Sequence, residues 1–225
     1  MKKFQKILMF LVLAVFLVAG SAMATPLNLD LGKPDVYADT IGKVNYDAGS
    51  DVFTVSAEPE MITWPDLSKT DFVNIADDYM EINIKVASDG SLIGGGTFAN
   101  DLKIYGAYRD IDGTPGISAN DAEIVLTGDI LAFGWLDTTT VDVYEFVWNI
   151  TGGTLASYYD NCYGGTKVTA ENGTAFIGDW TIDIVNQDQA KSDTAPVPEP
   201  ATLLLLGSGL LGLAGLGRKK FFRKA

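Results

Sequence analysis

Histidine is absent from the 225 residues of the chain, and cysteine occurs once, as Cys162. The lack of histidine excludes a Ser-His-Asp triad, imidazole acid–base catalysis and the usual zinc sites. A single cysteine excludes an intrachain disulfide, so Cys162 is either a small buried side chain or an exposed thiol able to link two chains. The sequence also lacks a nucleophile elbow, a P-loop and a dinucleotide-binding fingerprint.

Basic side chains are scarce in the central part of the chain. Residues 25–195 contain 28 Asp and Glu but only eight Lys and Arg, which gives a net charge of −20. A domain this acidic would be repelled by nucleic acid and by anionic lipid, so we expect no nucleic-acid partner. The region has enough aromatic and β-branched residues to form a core, and its length suits a single domain.

The N-terminal end has the pattern of an export signal. Three lysines precede an apolar run over residues 7–19, and the small residues Ala22 and Ala24 follow it. This pattern predicts a secretory signal peptide over residues 1–24, which signal peptidase would cleave before Thr25. We therefore expect the mature domain to lie outside the cytoplasm.

The C-terminal end, residues 196–225, combines prolines, an apolar run and cations. Val197, Pro198, Glu199 and Pro200 come first, residues 201–217 carry no charge, and residues 218–224 include Arg218, Lys219 and Lys220. A helix over 201–217 would be about 25 Å long, near the lower limit for crossing a hydrocarbon core of about 30 Å. The cations predict a cytoplasmic stop after this transmembrane helix. An ordinary single-pass anchor preceded by chance prolines is the alternative.

This order of signals closely resembles the PEP-CTERM sorting signal of exported proteins in Gram-negative bacteria that make exopolysaccharide. The resemblance covers Val197 to about Lys224. It implies that exosortase recognises Pro198-Glu199-Pro200 and that the helix is removed. The protein would then pass through the inner membrane to the cell surface or extracellular matrix. The same tail is also called an ice-binding protein C-terminal domain, a name that gives no evidence of ice binding.

Short segments of alternating apolar and polar residues occur throughout residues 25–185. The clearest are Val52–Ala57 and Met80–Val86, and the last is Thr174–Val185. About nine or ten such segments, with no convincing helix, predict an acidic all-β domain, an antiparallel β-sandwich of jelly-roll type. Val141–Ile150 is apolar on both faces, which predicts a central strand covered on both sides.

Residues 186–195 contain few apolar side chains, so we expect a flexible linker between the domain and the sorting signal. Upstream, the triplet Gly94-Gly95-Gly96 is not followed by the helix or the Lys-Ser/Thr that a phosphate site needs. A bulge or bend is therefore the prediction for this triplet.

Two groups of residues are candidates for ligand binding. The first is an acidic loop that could hold Ca²⁺, with Asp110, Asp112, Asn120, Asp121 and Glu123 as its oxygen ligands. Its spacing does not fit an EF-hand, and a solvated acidic loop without metal is the favoured alternative; apart from this weak site we expect no cofactor. The second is Trp64, expected to be exposed in an irregular connection and able to stack on a sugar ring. Trp148 and Trp180 lie in strand patterns and are expected in the core.

These features predict an exported protein of the cell surface or matrix that is sorted by exosortase. Its expected role is structural or adhesive, in association with exopolysaccharide. A carbohydrate-binding module is the alternative. A polysaccharide-processing enzyme using a carboxylate pair is a further alternative, but we expect no catalysis.

Overall fold

The computed structural model describes residues 25–72, 78–96, 99–108, 122–138, 140–159, 162–171 and 176–197. These residues form eleven strands and one 3₁₀ turn, Ala156–Tyr159. The strands are β1 Asp35–Asp47, β2 Val52–Ala57, β3 Pro59–Thr63, β4 Lys69–Asp71, β5 Tyr79–Val86, β6 Leu92–Gly95, β7 Leu102–Gly106, β8 Glu123–Leu136, β9 Val141–Gly152, β10 Tyr163–Glu171 and β11 Ile184–Val197.

Eight of these strands close into an antiparallel barrel. Around it the order is β1, β2, β5, β7, β8, β9, β10 and β11, and β11 pairs with β1 to complete the ring. The short strands β3 and β4 extend the sheet beside β1, and β6 pairs with β5 outside the ring. Ring closure pairs the first strand with the last and so leaves the barrel without an open edge.

The expected all-β class is confirmed, but the jelly-roll sandwich is wrong. In a jelly roll the strands divide between two packed sheets, whereas here one sheet closes on itself. The difference arises at β11, whose residues pair with β10 on one side and with β1 on the other.

Residues 186–195, expected as a flexible linker, lie within β11. The strand lacks an apolar alternation because several of its inward side chains are polar: Gln187, Ser192 and Thr194 are all buried. Their polar groups have partners inside the barrel. The Tyr144 hydroxyl donates to Gln187 Oε1 at 2.9 Å, and the hydroxyls of Thr166 and Thr194 lie 2.9 Å apart. Buried polar groups with such partners cost little, so the chain can close the barrel with a polar strand.

Two other strand predictions need correction. Apolar residues over Ala122–Leu126 and Ile130–Leu136 predict a pair of strands around Thr127-Gly128-Asp129. Both segments instead belong to the single strand β8, apart from Ala122, which precedes it. In the predicted strand Thr174–Val185, residues 176–183 form an irregular loop. This loop places Phe176 and Trp180 inside one end of the barrel, where both are buried.

The prediction of a strand covered on both sides holds for the inner side of β9 and only in part for its outer side. Tyr144, Phe146 and Trp148 are fully buried on its inner side, and Glu145 is buried on its outer side. The segment before β1 covers that outer side, where the backbone N–H of Asn28 donates to Glu145 Oε2 at 2.8 Å. The inner face of β9 is therefore shielded from solvent over residues 142–148, whereas its outer face is buried at Glu145 and only half-buried at Val141, Val143 and Val147.

Within the described residues, no helix has the length and apolar character needed to cross a membrane. The predicted transmembrane helix over 201–217 and the signal peptide over 1–24 both lie outside the described residues.

Candidate functional site

A ladder of three cross-strand pairs lies on the outer wall of the barrel, on β5 and β7. Tyr79 faces Tyr105, and Glu81 faces Lys103. One step further, the backbone N–H of Asn83 donates to the Asp101 carbonyl at 2.8 Å. Alternate residues of a strand point to the same face, so the ladder spans roughly 14 Å along the wall. Met80, Ile82 and Ile84, which alternate with the ladder residues along β5, are buried in the core.

A groove of about 360 Å³ follows this ladder. Besides residues of the ladder, Ala99, Asn100 and Ile124 line it. Ile124 belongs to β8 and is 42% exposed, so the groove has an apolar rim as well as a polar floor. An open groove with an aromatic end and a few polar side chains suits an extended, hydroxyl-rich ligand.

Tyr79 lines the aromatic end of the groove, and Tyr105 packs beside it on β7. Their rings are stacked, with centroids 5.5 Å apart and planes 26° apart. The Lys103 ammonium lies 5.2 Å from the Tyr79 centroid and 5.9 Å from the Tyr105 centroid. These distances are those of cation–π contacts, which hold the lysine over the rings.

Asp101 fixes the other end of the groove. Its Oδ1 accepts the Gly96 N–H at 3.2 Å, and its Oδ2 accepts the Ile130 N–H at 2.8 Å. A methyl group on Gly96 would lie 1.7 Å from Asn83 Oδ1, and one on Gly95 would lie 2.2 Å from Asp101 Oδ1. The predicted bend at Gly94–Gly96 therefore allows the backbone to approach the groove floor closely.

Trp64, the residue expected to bind sugar, is not part of this groove. Its side chain is only 4% exposed, and its indole N–H donates to Thr70 Oγ1 at 2.9 Å. Its ring packs against Tyr158 and Tyr108, with centroids 5.4 Å and 6.3 Å away. The expectation that Trp64 presents an exposed ring is therefore wrong. The core positions expected for Trp148 and Trp180 are confirmed.

The calcium candidate lies mostly outside the described residues. Asp110, Asp112, Asn120 and Asp121 are not described, whereas Glu123 begins β8 and faces solvent. In the part of the chain that the structure describes, no group of three or more Cys, Asp or Glu side chains is placed to hold a metal ion. The weak calcium site stays a prediction.

A second polar cluster lies inside the barrel, around Asp142. This carboxylate is fully buried and accepts a hydrogen bond from Gln187 Nε2. Burial raises the pKa of Asp142 to about 6, the bond from Gln187 opposes the rise, and the nearby Asp137 charge adds to it. The cluster therefore makes the Asp142 carboxyl easier to protonate in the folded protein than in the unfolded chain.

This shift predicts that acid stabilises the barrel through Asp142. The folded-state pKa is above the unfolded value of 3.8, so the folded state binds more protons between about pH 4 and pH 6. This contribution to the free energy of unfolding is lost as the pH rises through that window. We expect Asp142→Asn to raise the melting temperature relative to the parent most near pH 7 and least near pH 4. If the difference in melting temperature between the variant and the parent did not change with pH, the raised pKa of Asp142 would be contradicted.

Of the four predicted sorting residues, Val197 is the one that the structure describes, at the end of β11. Val197 is the last residue of that strand and pairs with Tyr163 of β10, and the Pro196 carbonyl accepts the Gly32 N–H at 2.9 Å. The remaining predicted processing residues lie outside the described residues; they are Ala22, Ala24, Pro198, Glu199, Pro200, Arg218, Lys219 and Lys220. The first residue of the Pro-Glu-Pro triplet therefore follows the closing strand directly.

Comparison with known families gives one match, to the PEP-CTERM protein-sorting motif over residues 196–219. The chain carries a PEP-CTERM sorting signal. No curated protein and no solved structure matches the chain. The match makes this an exported, cell-surface-directed protein that exosortase processes. The PEP-CTERM match begins at Pro196, inside β11, so the barrel and the sorting signal share two residues.

Sequence reasoning missed the groove because its residues look ordinary one strand at a time. Glu81 and Asn83 read as the wet face of one strand, and Lys103 and Tyr105 as the wet face of another. Only the pairing of β5 with β7 brings these side chains together. The triplet Gly94-Gly95-Gly96 was the signal of the groove that the sequence offered, because glycine lets the backbone approach other groups closely.

Proposed function

We propose that the barrel is a structural or adhesive component of an extracellular matrix and that it binds exopolysaccharide in the groove on β5 and β7. The observation that carries the proposal is the stacked pair Tyr79 and Tyr105 beside Lys103 and Glu81, on the wall of an exported protein. An aromatic side chain can pack against the C–H groups of a sugar, and the flanking polar groups can bond its hydroxyls.

The proposed role is binding and does not include catalysis. Hydrolysis of a glycoside commonly needs two carboxyl groups, one of which exchanges a proton with the leaving group. In this groove Asp101 is committed to two backbone N–H groups, and its side chain is buried. The groove therefore offers Glu81 as a hydrogen-bonding group rather than a catalytic pair.

The proposal predicts that Tyr79→Ala weakens binding to polysaccharide purified from the native host. Loss of one stacking ring should lower the affinity on the order of tenfold, or about 1.4 kcal/mol. Retention on immobilised polysaccharide, measured over a range of protein concentrations, checks this. Tyr158→Ala is the matched control, because Tyr158 is 44% exposed and lies beside Trp64, outside the groove. Equal retention of both variants and the parent would contradict the proposal.

A further inference from the structure

We infer that the groove selects an uncharged, hydroxyl-rich glycan over one that carries carboxylate groups. This inference rests on the proposed function and specifies the ligand class. It follows from the arrangement of the charges and hydrogen-bonding groups along the ladder.

Lys103 is the cation that lines the groove. Within the described residues, ion pairs join Lys33 to Asp35 and Lys167 to Glu145. Lys103 takes part in neither pair and lies over the rings of Tyr79 and Tyr105, although it faces Glu81 across the strands. The ring faces already stabilise its positive charge, so it serves a ligand mainly as a hydrogen-bond donor.

Two carboxylates, those of Asp101 and Glu81, also line the groove. Asp101 forms part of the groove floor and accepts hydrogen bonds from the backbone N–H groups of Gly96 and Ile130. Glu81 lies between this carboxylate and the aromatic end. The groove therefore has two negative side chains against one positive, on a domain whose net charge is −20. A carboxylate sugar would approach both a local and an overall negative potential.

Both donors and acceptors of hydrogen bonds line the groove. A sugar hydroxyl both donates and accepts, and the centre of the groove pairs a donor, Lys103, with an acceptor, Glu81. Asn100, at the polar end, also offers both kinds of group. A carboxylate can only accept, so it could use Lys103 but would leave Glu81 facing a like charge. Neutral sugars fit each position of the ladder.

The test separates matrix polysaccharide of the native host by anion exchange into a neutral and a uronate-containing fraction. The full chain, with its tail, is kept in mild detergent and titrated by calorimetry with each fraction, the two fractions being matched for chain length. At low salt we expect the neutral fraction to bind at least tenfold more tightly than the uronate-containing fraction. The affinity for the neutral fraction should change little at higher salt. Chemical reduction of the uronate carboxyls to alcohols should raise the affinity of the acidic fraction by a similar factor.

Glu81→Gln is the matched variant, because it keeps the shape of the side chain and removes one negative charge. This variant should reduce the difference in affinity between the neutral and the acidic fraction several-fold, and it should still bind the neutral fraction. Tighter binding of the unreduced acidic fraction, or no effect of Glu81→Gln on the difference, would overturn the inference and leave the proposed function standing. If neither fraction binds before or after reduction, the proposed function itself fails.

Discussion

Ending the chain at Val185 should abolish cooperative unfolding, whereas ending it at Val197 should leave the barrel intact. The first truncation removes all but two residues of β11, which pairs with β1 along one edge and with β10 along the other. It exposes two strand edges and strips the partners from Tyr144, Thr166 and Asp142. The loss should exceed the 5–15 kcal/mol by which a typical domain is stable.

Thermal unfolding followed by near- and far-ultraviolet circular dichroism checks this pair of truncations. The chain that ends at Val197 is the control, because it lacks the same hydrophobic tail but keeps the closing strand. The account predicts a sharp transition for this control and none for the shorter chain. If both chains melted sharply at similar temperatures, β11 would be the dispensable linker that the sequence suggested.

Trp180→Ala should cause the largest loss of stability among single core substitutions at the aromatic end of the barrel. The ring is 2% exposed and lies 4.8 Å from Phe176, 5.0 Å from Tyr46 and 5.8 Å from Phe53, between centroids. Removing a buried tryptophan costs about 3–5 kcal/mol, because the transfer energy is lost and a cavity remains. For a domain of this size we expect the melting temperature to fall by roughly 6–20 °C.

Trp64→Ala provides the comparison for Trp180→Ala. Trp64 packs against two tyrosines, one of which is 44% exposed, so its removal leaves a site that can relax and admit water. We expect a smaller loss of stability, measured by urea titration on both variants. A larger loss of stability for Trp64→Ala than for Trp180→Ala would contradict the prediction that the aromatic cluster around Trp180 contributes more to the stability of the barrel.

Strands with one apolar face were predictable from the sequence, because burial imposes a period of two. Val52–Ala57 was predicted with the bounds of β2, and Met80–Val86 lacks only the first residue of β5. The closing strand was not predictable in this way. Its inward positions include Gln187 and Thr194, which are stable there only because Tyr144 and Thr166 lie opposite them. Partners more than twenty residues away leave no local trace in the sequence.

The location of Trp64 shows the same limit. Its surroundings in the sequence are polar and contain prolines, which favours an exposed loop. In the structure the backbone N–H of Trp64 donates to the Ser68 carbonyl at 2.9 Å, and this turn folds the ring onto Tyr108 and Tyr158. These tyrosines come from distant parts of the chain, so burial of Trp64 depends on tertiary contacts. The sorting signal, in contrast, was recognisable from the sequence because it consists of a contiguous stretch of residues in a fixed order.

The intact mass of the protein recovered from the surface of its native host tests the central claim most directly. The account predicts a chain that begins at Thr25, keeps every residue through Val197 and lacks the apolar run over 201–217. Such a product would have passed signal peptidase and exosortase with the closed barrel complete. A product found in the cytosol with both Met1 and Ala225, or a surface product that ends before Val197, would contradict it.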